Sequence, residues 1–373
     1  MRLPPSLWPL LHRLANGRDW PPRDDAEAAR FVGAATHEGL LPLLFDEEAP
    51  PAPVVAALAR QRVWKRVFEG RARTLREALV GLPALLGAEP FVVLKGGDYA
   101  ERLYPRPDLR TMQDIDILVP RERRAAVDAR LREAGMTQLF PGSPTHHVPW
   151  FSESVFDLGQ VTLEVHDSFL PRVRHAVDYR ALWERRRPLT VDGLATSRLD
   201  DVDALVYHGL SLAKDEFFAR LIRYVDLWLM LQAVPGALAP AVARAREWQT
   251  VHAFYGCLQQ AQGFLPELQD VLAPALAELL PAARRPFFDG RVLPSVAERS
   301  VVVPRRRGVQ LWRKFWLIDS LRRRAGFGIQ FGYALAIGAW RGRGRPLGNV
   351  PKAVDLTRVA GENTPRSGVD REL

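Results

Sequence analysis

Apolar positions recur at helical spacing over residues 24–47, where Ala28, Phe31, Val32 and Ala35 follow Asp24 and Asp25, two acids suited to cap a helix and fill its first turn. Pro50, Pro51 and Pro53 punctuate the chain. A second helical pattern then runs from Val54 through Trp64, Phe68, Leu75 and Leu79 to about Leu86. The texture changes after Pro90. Phe91-Val92-Val93-Leu94 is short, β-branched and aromatic, which predicts a buried strand, and Gly96-Gly97 predicts a turn into a short helix over 98–103. A second strand is predicted over 115–119 and a helix over 121–135, closed by Gly135. A third strand is expected over 161–165 and a fourth, shorter one over 189–191. Strand alternating with helix describes a compact α/β unit. From Asp200-Asp201 onward the pattern is helical again, with helices predicted over 200–212, 217–233 and 240–264. The expected organisation is an N-terminal helical region (1–88), an α/β core (89–195), a helical domain (196–283), a basic C-terminal region (284–348) and a loose polar tail (349–373).

Composition supports a globular chain: of 373 residues, 47% are hydrophobic and 25% charged, and the length suits two domains. Cys257 is the sole cysteine, which excludes an intrachain disulfide and reads as a small buried hydrophobe. The first residues lack the pattern of a signal peptide, so a cytoplasmic protein is expected. The net charge of +9 is uneven, because fifteen Arg or Lys face three acids from Arg284 to Arg345. That segment carries +12 and the remainder −3. Within it, Ala325 to Trp340 holds no charge, but sixteen residues with four glycines are too few to span a bilayer, so no transmembrane helix is expected. Packing on the helical domain is the first reading of this stretch. The alternatives are a peripheral hold on an anionic membrane surface, anchored by Trp312, Trp316 and Trp340, or a grip on RNA or another polyanion.

Candidate chemistry lies in the α/β unit. Side chains at i and i+2 of a strand share a face, so Asp114 and Asp116 project together while Ile115 and Ile117 turn to the core. Glu164 is likewise framed by Leu163 and Val165. If the two strands pair, three carboxylates converge. Two anions about 5 Å apart at an effective dielectric of about 20 repel by about 3 kcal/mol, so either their pKa values rise or a divalent cation sits among them. Magnesium suits such hard oxygen ligands together with substrate phosphates. Gly96 and Gly97 leave backbone amides open to phosphate, and Lys95 adds a positive charge. An acidic pair alone is ordinarily a surface feature and a Gly-Gly alone ordinarily a turn. Their order and apolar framing raise the combination above either.

At these residues the chain resembles the nucleotidyltransferase superfamily of DNA polymerase beta. It more closely resembles the bacterial nucleotidyltransferase family proteins with Leu-Lys-Gly, Leu-Tyr, Arg and Asp-Ile-Asp motifs. Here these are Leu94-Lys95-Gly96, Leu103-Tyr104, Arg110 and Asp114-Ile115-Asp116, followed by Glu164-Val165-His166, Leu182-Trp183, His208 and Lys214, over roughly 30–235. The resemblance implies an α+β fold with a small mixed sheet, flanked by N-terminal helices and a C-terminal helical domain. It implies an NTP donor, ATP by default, and a divalent metal, Mg²⁺ or Mn²⁺. Asp114 and Asp116 would hold the metal. Glu164 would hold the catalytic metal and accept the nucleophile's proton. Lys95, Gly96 and Gly97 would touch the triphosphate. Arg110 would neutralise phosphate or brace the acids, and Tyr104 would pack.

The match departs from the pattern in a wide Gly97–Asp114 spacing and in Asp167, which stands where an aromatic residue is usual and reads first as a surface residue. His147 and His166 are candidates for the acceptor side. Adjacent His146 and His147, without a cysteine partner, do not make a zinc site. His208 reads as a core residue, and its azimuth on the helix sets it apart from Lys214, so the two are not expected to share a site. The acceptor is not legible. Rival functions are a toxin-like transferase modifying tRNA or protein, and an inactive binding module at a membrane or polyanion. Three mutually repelling acids speak against the inactive module.

Overall fold

In the computed structural model the described residues are 1–341 except for 2, 16, 18, 140–152, 296, 297 and 299–306. His146, His147, the side chain of Trp340 and the polar tail therefore lie outside the described residues.

The N-terminal region is helical as expected, but in shorter pieces: α1 (Leu7–Leu14), α2 (Asp25–His37), α3 (Leu41–Phe45), α4 (Ala52–Arg60) and α5 (Arg62–Leu86). Asp24 caps α2 by accepting from the Glu27 N–H at 2.8 Å. The pattern predicted across 24–47 breaks between α2 and α3, and the one from 54 to 86 breaks at Gln61. Apolar spacing reports the buried face, which stays continuous when a helix ends and another begins.

The sheet contains β1 (Val92–Val93), β2 (Asp114–Leu118), β3 (Thr137–Leu139), β4 (Glu153–Asp157), β5 (Thr162–His166), β6 (Arg187–Val191) and β7 (Leu194–Arg198), in the spatial order β3-β4-β5-β2-β1-β7-β6. Helix α6 (Lys95–Arg102) follows β1, α7 (Arg124–Glu133) follows β2, and α8 (Tyr179–Arg185) precedes β6. The pairings β2–β5 and β1–β7 are parallel and the others antiparallel, so the sheet is mixed, as the resemblance implied. Strands β3, β4 and β7 were not expected. One face of the sheet buries Ile115, Ile117, Leu163 and Val165 against Leu75, Leu79, Leu82 and Leu86 of α5 and Val127 and Leu131 of α7. The other face turns toward a bundle formed by α9 (Asp201–Lys214), α10 (Ile222–Ala233), α11 (Leu238–Glu247), α12 (Val251–Phe264) and α13 (Gln269–Leu279), and Leu118 joins that larger core.

Asp200 caps α9 through the Asp203 N–H at 2.7 Å. The predicted helix over 217–233 starts only at Ile222, because Glu216 and Phe217 adopt left-handed φ values of 54° and 64°. The one predicted over 240–264 divides into α11 and α12. Cys257 is buried and free. Two further helices, α14 (Arg307–Trp316) and α15 (Leu321–Arg341), close the described chain. Asp319 between them caps α12, accepting from the N–H groups of Val251 at 2.6 Å and His252 at 2.9 Å. Among the described residues no single helix is long and apolar enough to cross a membrane.

Candidate active site

Parallel pairing of β2 with β5 sets Asp114 opposite Thr162, Asp116 opposite Glu164 and Leu118 opposite His166. Partners in register share a face, so both aspartates, Glu164 and His166 stand on the side turned toward the bundle. Arg71 of α5 holds the entry of both strands: its guanidinium donates to the Gln160 carbonyl and, at 2.6 Å, to the Gln113 carbonyl. The acids are thus placed by the hydrogen-bond ladder and by one arginine that spans the loops ahead of them.

These carboxylates form the floor of an open cleft of about 640 Å³ that Lys95, Gly96, Arg110, Asp114, Asp116 and Glu164 all border. Lys95 Nζ donates to Asp116 Oδ1 at 2.6 Å, and His166 Nε2 lies 2.9 Å from the same oxygen. Burial would raise the Asp116 pKa, but Lys95 and His166 overcome it and hold the carboxyl well below its usual range. For Asp114 the charges of Lys95 and Arg110 pull the same way but do not prevail. Its burial, with the charges of Asp116 and Glu164, pushes it up to about 7. His166 holds its proton above the usual range despite burial, through its hydrogen bonds to Asp116 and Glu164. Its Nδ1 lies 3.6 Å from Glu153, which Lys214 engages at 3.0 Å.

The expected glycine turn is instead the first turn of α6. Lys95 begins that helix with a left-handed φ of 45°, after an extended Leu94. Gly97 is required by close approach: a Cβ there would lie 2.8 Å from Val93 Cγ1. Gly96 borders the cleft, while Gly97 is not among the bordering residues. First-turn N–H groups have no acceptor within their own helix, so the phosphate-facing chemistry expected of a turn is equally available here.

Arg110 borders the cleft but points its fork at Asp226 of α10. Its Nε donates at 2.9 Å and Nη2 at 2.7 Å, and Tyr104 Oη donates to the same carboxylate at 2.8 Å. Asp226 is fully buried, so this three-residue knot ties the sheet to the bundle. Its bidentate partner is therefore neither Asp114 nor Asp116. Tyr104 is buried, as expected of a packing residue, with its hydroxyl satisfied.

The facing wall comes from the end of α9 and the start of α10. Lys214, Asp215, Phe218, Arg220 and Arg223 border it, and Arg223 is steadied by Asp215 at 2.9 Å and Ser211 at 2.6 Å. His208 is buried and in contact with the Arg223 carbonyl at 2.8 Å, a satisfied core histidine that also lines the cleft. Lys214 lines it as well, which corrects the expectation that the two share no site. Six residues at about 100° each leave them about 120° apart, and the cleft is wide enough to meet both. His166 sits beneath the acids, buried and not among the bordering residues. Asp167 pairs with Arg124 at 3.1 Å and is no part of the cleft. Asp226, Arg223 and Arg71 are contributions that the sequence reading missed. Their only local signals were an acid inside the apolar α10 and an arginine on the polar side of α5.

No curated protein matches this chain. Two solved structures share some of its shape. One is the antibiotic-resistance factor ANT(2'')-Ia, at 12% identity and a TM-score of 0.32, with 48% of this chain and 91% of that one covered. The other is an antigenic nucleotidyltransferase-like protein from Paracoccidioides brasiliensis, at 17% identity and a TM-score of 0.33, with 55% and 91% covered. Scores this low carry no weight for the chemistry. The sequence model described as "Uncharacterised nucleotidyltransferase" matches residues 24–266, a span that holds the acids, the first turn of α6, the Arg110–Asp226 knot and the basic wall. By that match the chain belongs to the uncharacterised nucleotidyltransferase family.

Proposed function

We propose that this protein transfers a nucleoside monophosphate from an NTP, ATP by default, to a hydroxyl or phosphate of an acceptor, with Mg²⁺ or Mn²⁺, the new acceptor O–Pα bond replacing the Pα–O–Pβ bond and pyrophosphate leaving. The observation that carries this reading is the in-register pairing of Asp116 with Glu164, with Asp114 on the same face of the cleft floor. The donor set fits a hard cation. Ligand atoms of Asp116, Glu164 and His166 lie within 4.8 Å of one another, and Asp114 on the same strand face is raised by its burial and by the charges of Asp116 and Glu164. Asp114, Asp116 and Glu164 would hold the ion, with His166 supporting Asp116 from below. When bound, a divalent cation neutralises charge on the phosphoryl oxygens and draws donor and acceptor into line.

The remaining work falls to the chain itself. Lys95 steadies Asp116 and supplies positive charge at the cleft floor. First-turn amides of α6 at Gly96 offer donors to phosphate oxygens, and Lys214, Arg220 and Arg223 face them from the opposite wall. Glu164, whose side chain is partly exposed to the cleft, accepts the proton of an incoming hydroxyl.

The test is transfer of label from radiolabelled NTPs, with Mg²⁺ or Mn²⁺, to components of a cell extract. Asp114→Asn and Asp116→Asn, each checked for folding by circular dichroism, should lower transfer by roughly a thousandfold. Labelling equal to that of the unaltered protein would remove these residues from the mechanism.

A further inference from the structure

We infer that helices α14 and α15, with the aromatic corner that precedes them, form a surface that docks peripherally on an anionic lipid bilayer. This inference is independent of the reaction at the cleft. Nine large hydrophobic side chains are exposed among the described residues, and five of them belong to this one region: Phe287, Val309, Trp312, Leu321 and Ile329. Leu321 is 77% exposed and Ile329 72%, values unusual for aliphatic side chains on a folded surface.

They are ordered rather than scattered. Among the described side chains of α15 the exposed positions are Leu321, Arg322, Ala325, Gly328, Ile329 and Gly332, a helical stripe in which Arg322 is the one charge. The opposite side seats the helix on the body of the protein. Arg324 donates to the Ile318 carbonyl at 2.8 Å and stacks on Trp316 at 4.5 Å, while Phe327 lies under Arg174. Phe287 contacts Trp316 at 4.8 Å and Trp312 at 6.0 Å, and with Leu321 it borders a hollow of about 540 Å³ between Arg284 and Arg324. The apolar stripe therefore continues into an aromatic ledge.

Charge selects the partner. Residues 284–345 carry fifteen basic side chains against Asp289, Glu298 and Asp319. All three acids are occupied: Asp289 takes the Tyr255 hydroxyl at 2.9 Å, Glu298 takes Arg313 at 2.9 Å, and Asp319 caps α12. Exposed Arg284, Arg291 and Arg322 have no carboxylate partner among the described residues. An anionic surface is the complement. A polynucleotide would meet the arginines and rings, but leucine, isoleucine and valine offer it neither a π face nor a hydrogen bond. A bilayer boundary takes both, burying aliphatic groups beneath the headgroups while arginines meet the phosphates. With no described helix able to span, the contact is peripheral.

The experiment is sedimentation of the full chain with vesicles of phosphatidylcholine alone or mixed with phosphatidylglycerol. Binding to the anionic vesicles, weakened by salt, is expected. Leu321→Asp with Ile329→Asp should reduce it at least tenfold, and Arg284→Ala and Arg322→Ala by about fivefold each. All four positions are exposed, so circular dichroism should show an unchanged fold. Equal partitioning onto neutral and anionic vesicles, or indifference to these variants, overturns the inference. So does capture of a single-stranded RNA oligomer in place of vesicles, or a dimer that Ile329→Asp dissociates, each of which names another occupant for the same face.

Discussion

Replacing Asp226 with asparagine should unfold the junction between sheet and bundle far more readily than its single atom of change suggests. Asp226 is fully buried and accepts from Nε and Nη2 of Arg110 and from the Tyr104 hydroxyl. Asparagine keeps the shape but removes the charge, leaving a buried guanidinium without a counter-ion. Breaking a buried pair from one side costs about 3–5 kcal/mol, about a fifth or more of the roughly 5–15 kcal/mol that holds a typical fold. At a urea slope of about 3 kcal/mol/M the midpoint should fall by about 1–1.7 M, read from tryptophan fluorescence. The triple replacement Tyr104→Phe, Arg110→Met and Asp226→Leu removes all the polar partners together. It should return to within about 1 kcal/mol of the unaltered protein, because the desolvation of both ions is removed with their attraction. A midpoint for Asp226→Asn within about 0.5 M of the original would refute the reasoning. So would a triple variant as unstable as the single one.

Stability should also decline in acid. Burial lowers His175 to about 4 and His208 to about 3, below the unfolded value of about 6.5. The unfolded chain then binds more protons, so the contribution is whole above about pH 6.5 and is lost as pH falls through the folded values. By pH 4 the two amount to roughly 6 kcal/mol together, against an opposite gain from Asp114, which is raised in the folded chain. The test is therefore made in Asp114→Asn, where urea midpoints that stay flat between neutral pH and pH 4.5 would contradict this. Lys314 Nζ lies 3.3 Å from Glu216 Oε1, in the left-handed stretch that leads into the cleft wall. Lys314→Met should loosen that wall by about 1–3 kcal/mol, seen as faster amide exchange over residues 215–221, with Lys314→Arg restoring protection. Gly97→Ala should cost about 1–3 kcal/mol through its clash with Val93, and thermal melts should show part of the loss recovered by Val93→Ala.

What the sequence made legible follows from the range of each signal. The acidic pair is a two-residue regularity within one strand, and the apolar framing of Glu164 marks its own strand. Their common face follows from strand periodicity once the two strands pair, although pairing itself had to be assumed. The hairpin of β6 and β7 was readable but missed. Asp192 and Gly193 both take left-handed φ, 47° and 84°, the geometry for which Asp-Gly is suited, while the polar run of β7 hid the strand behind it. Strand β3, three residues long with no buried member, had little pattern to offer. The knot at Asp226 was out of reach in principle. Its partners lie 116 and 122 residues away, and an isolated acid among the apolar residues of α10 does not say which arginine it meets. The helix breaks were missed for a related reason, since packing constrains which side faces inward more tightly than where a helix stops.

The cleft draws its acids from two hydrogen-bonded strands and its facing cations from the junction of two helices. These halves tolerate alteration differently. Slipping β5 by one residue would reverse the facing of Glu164 and His166 together, so the floor is nearly all-or-nothing. Residues 215–220 lie outside any helix or strand, and Asp215, Phe218 and Arg220 among them are not buried, so these three can change without disturbing a ladder. Variation in what the cleft admits therefore has a natural address in that short bridge.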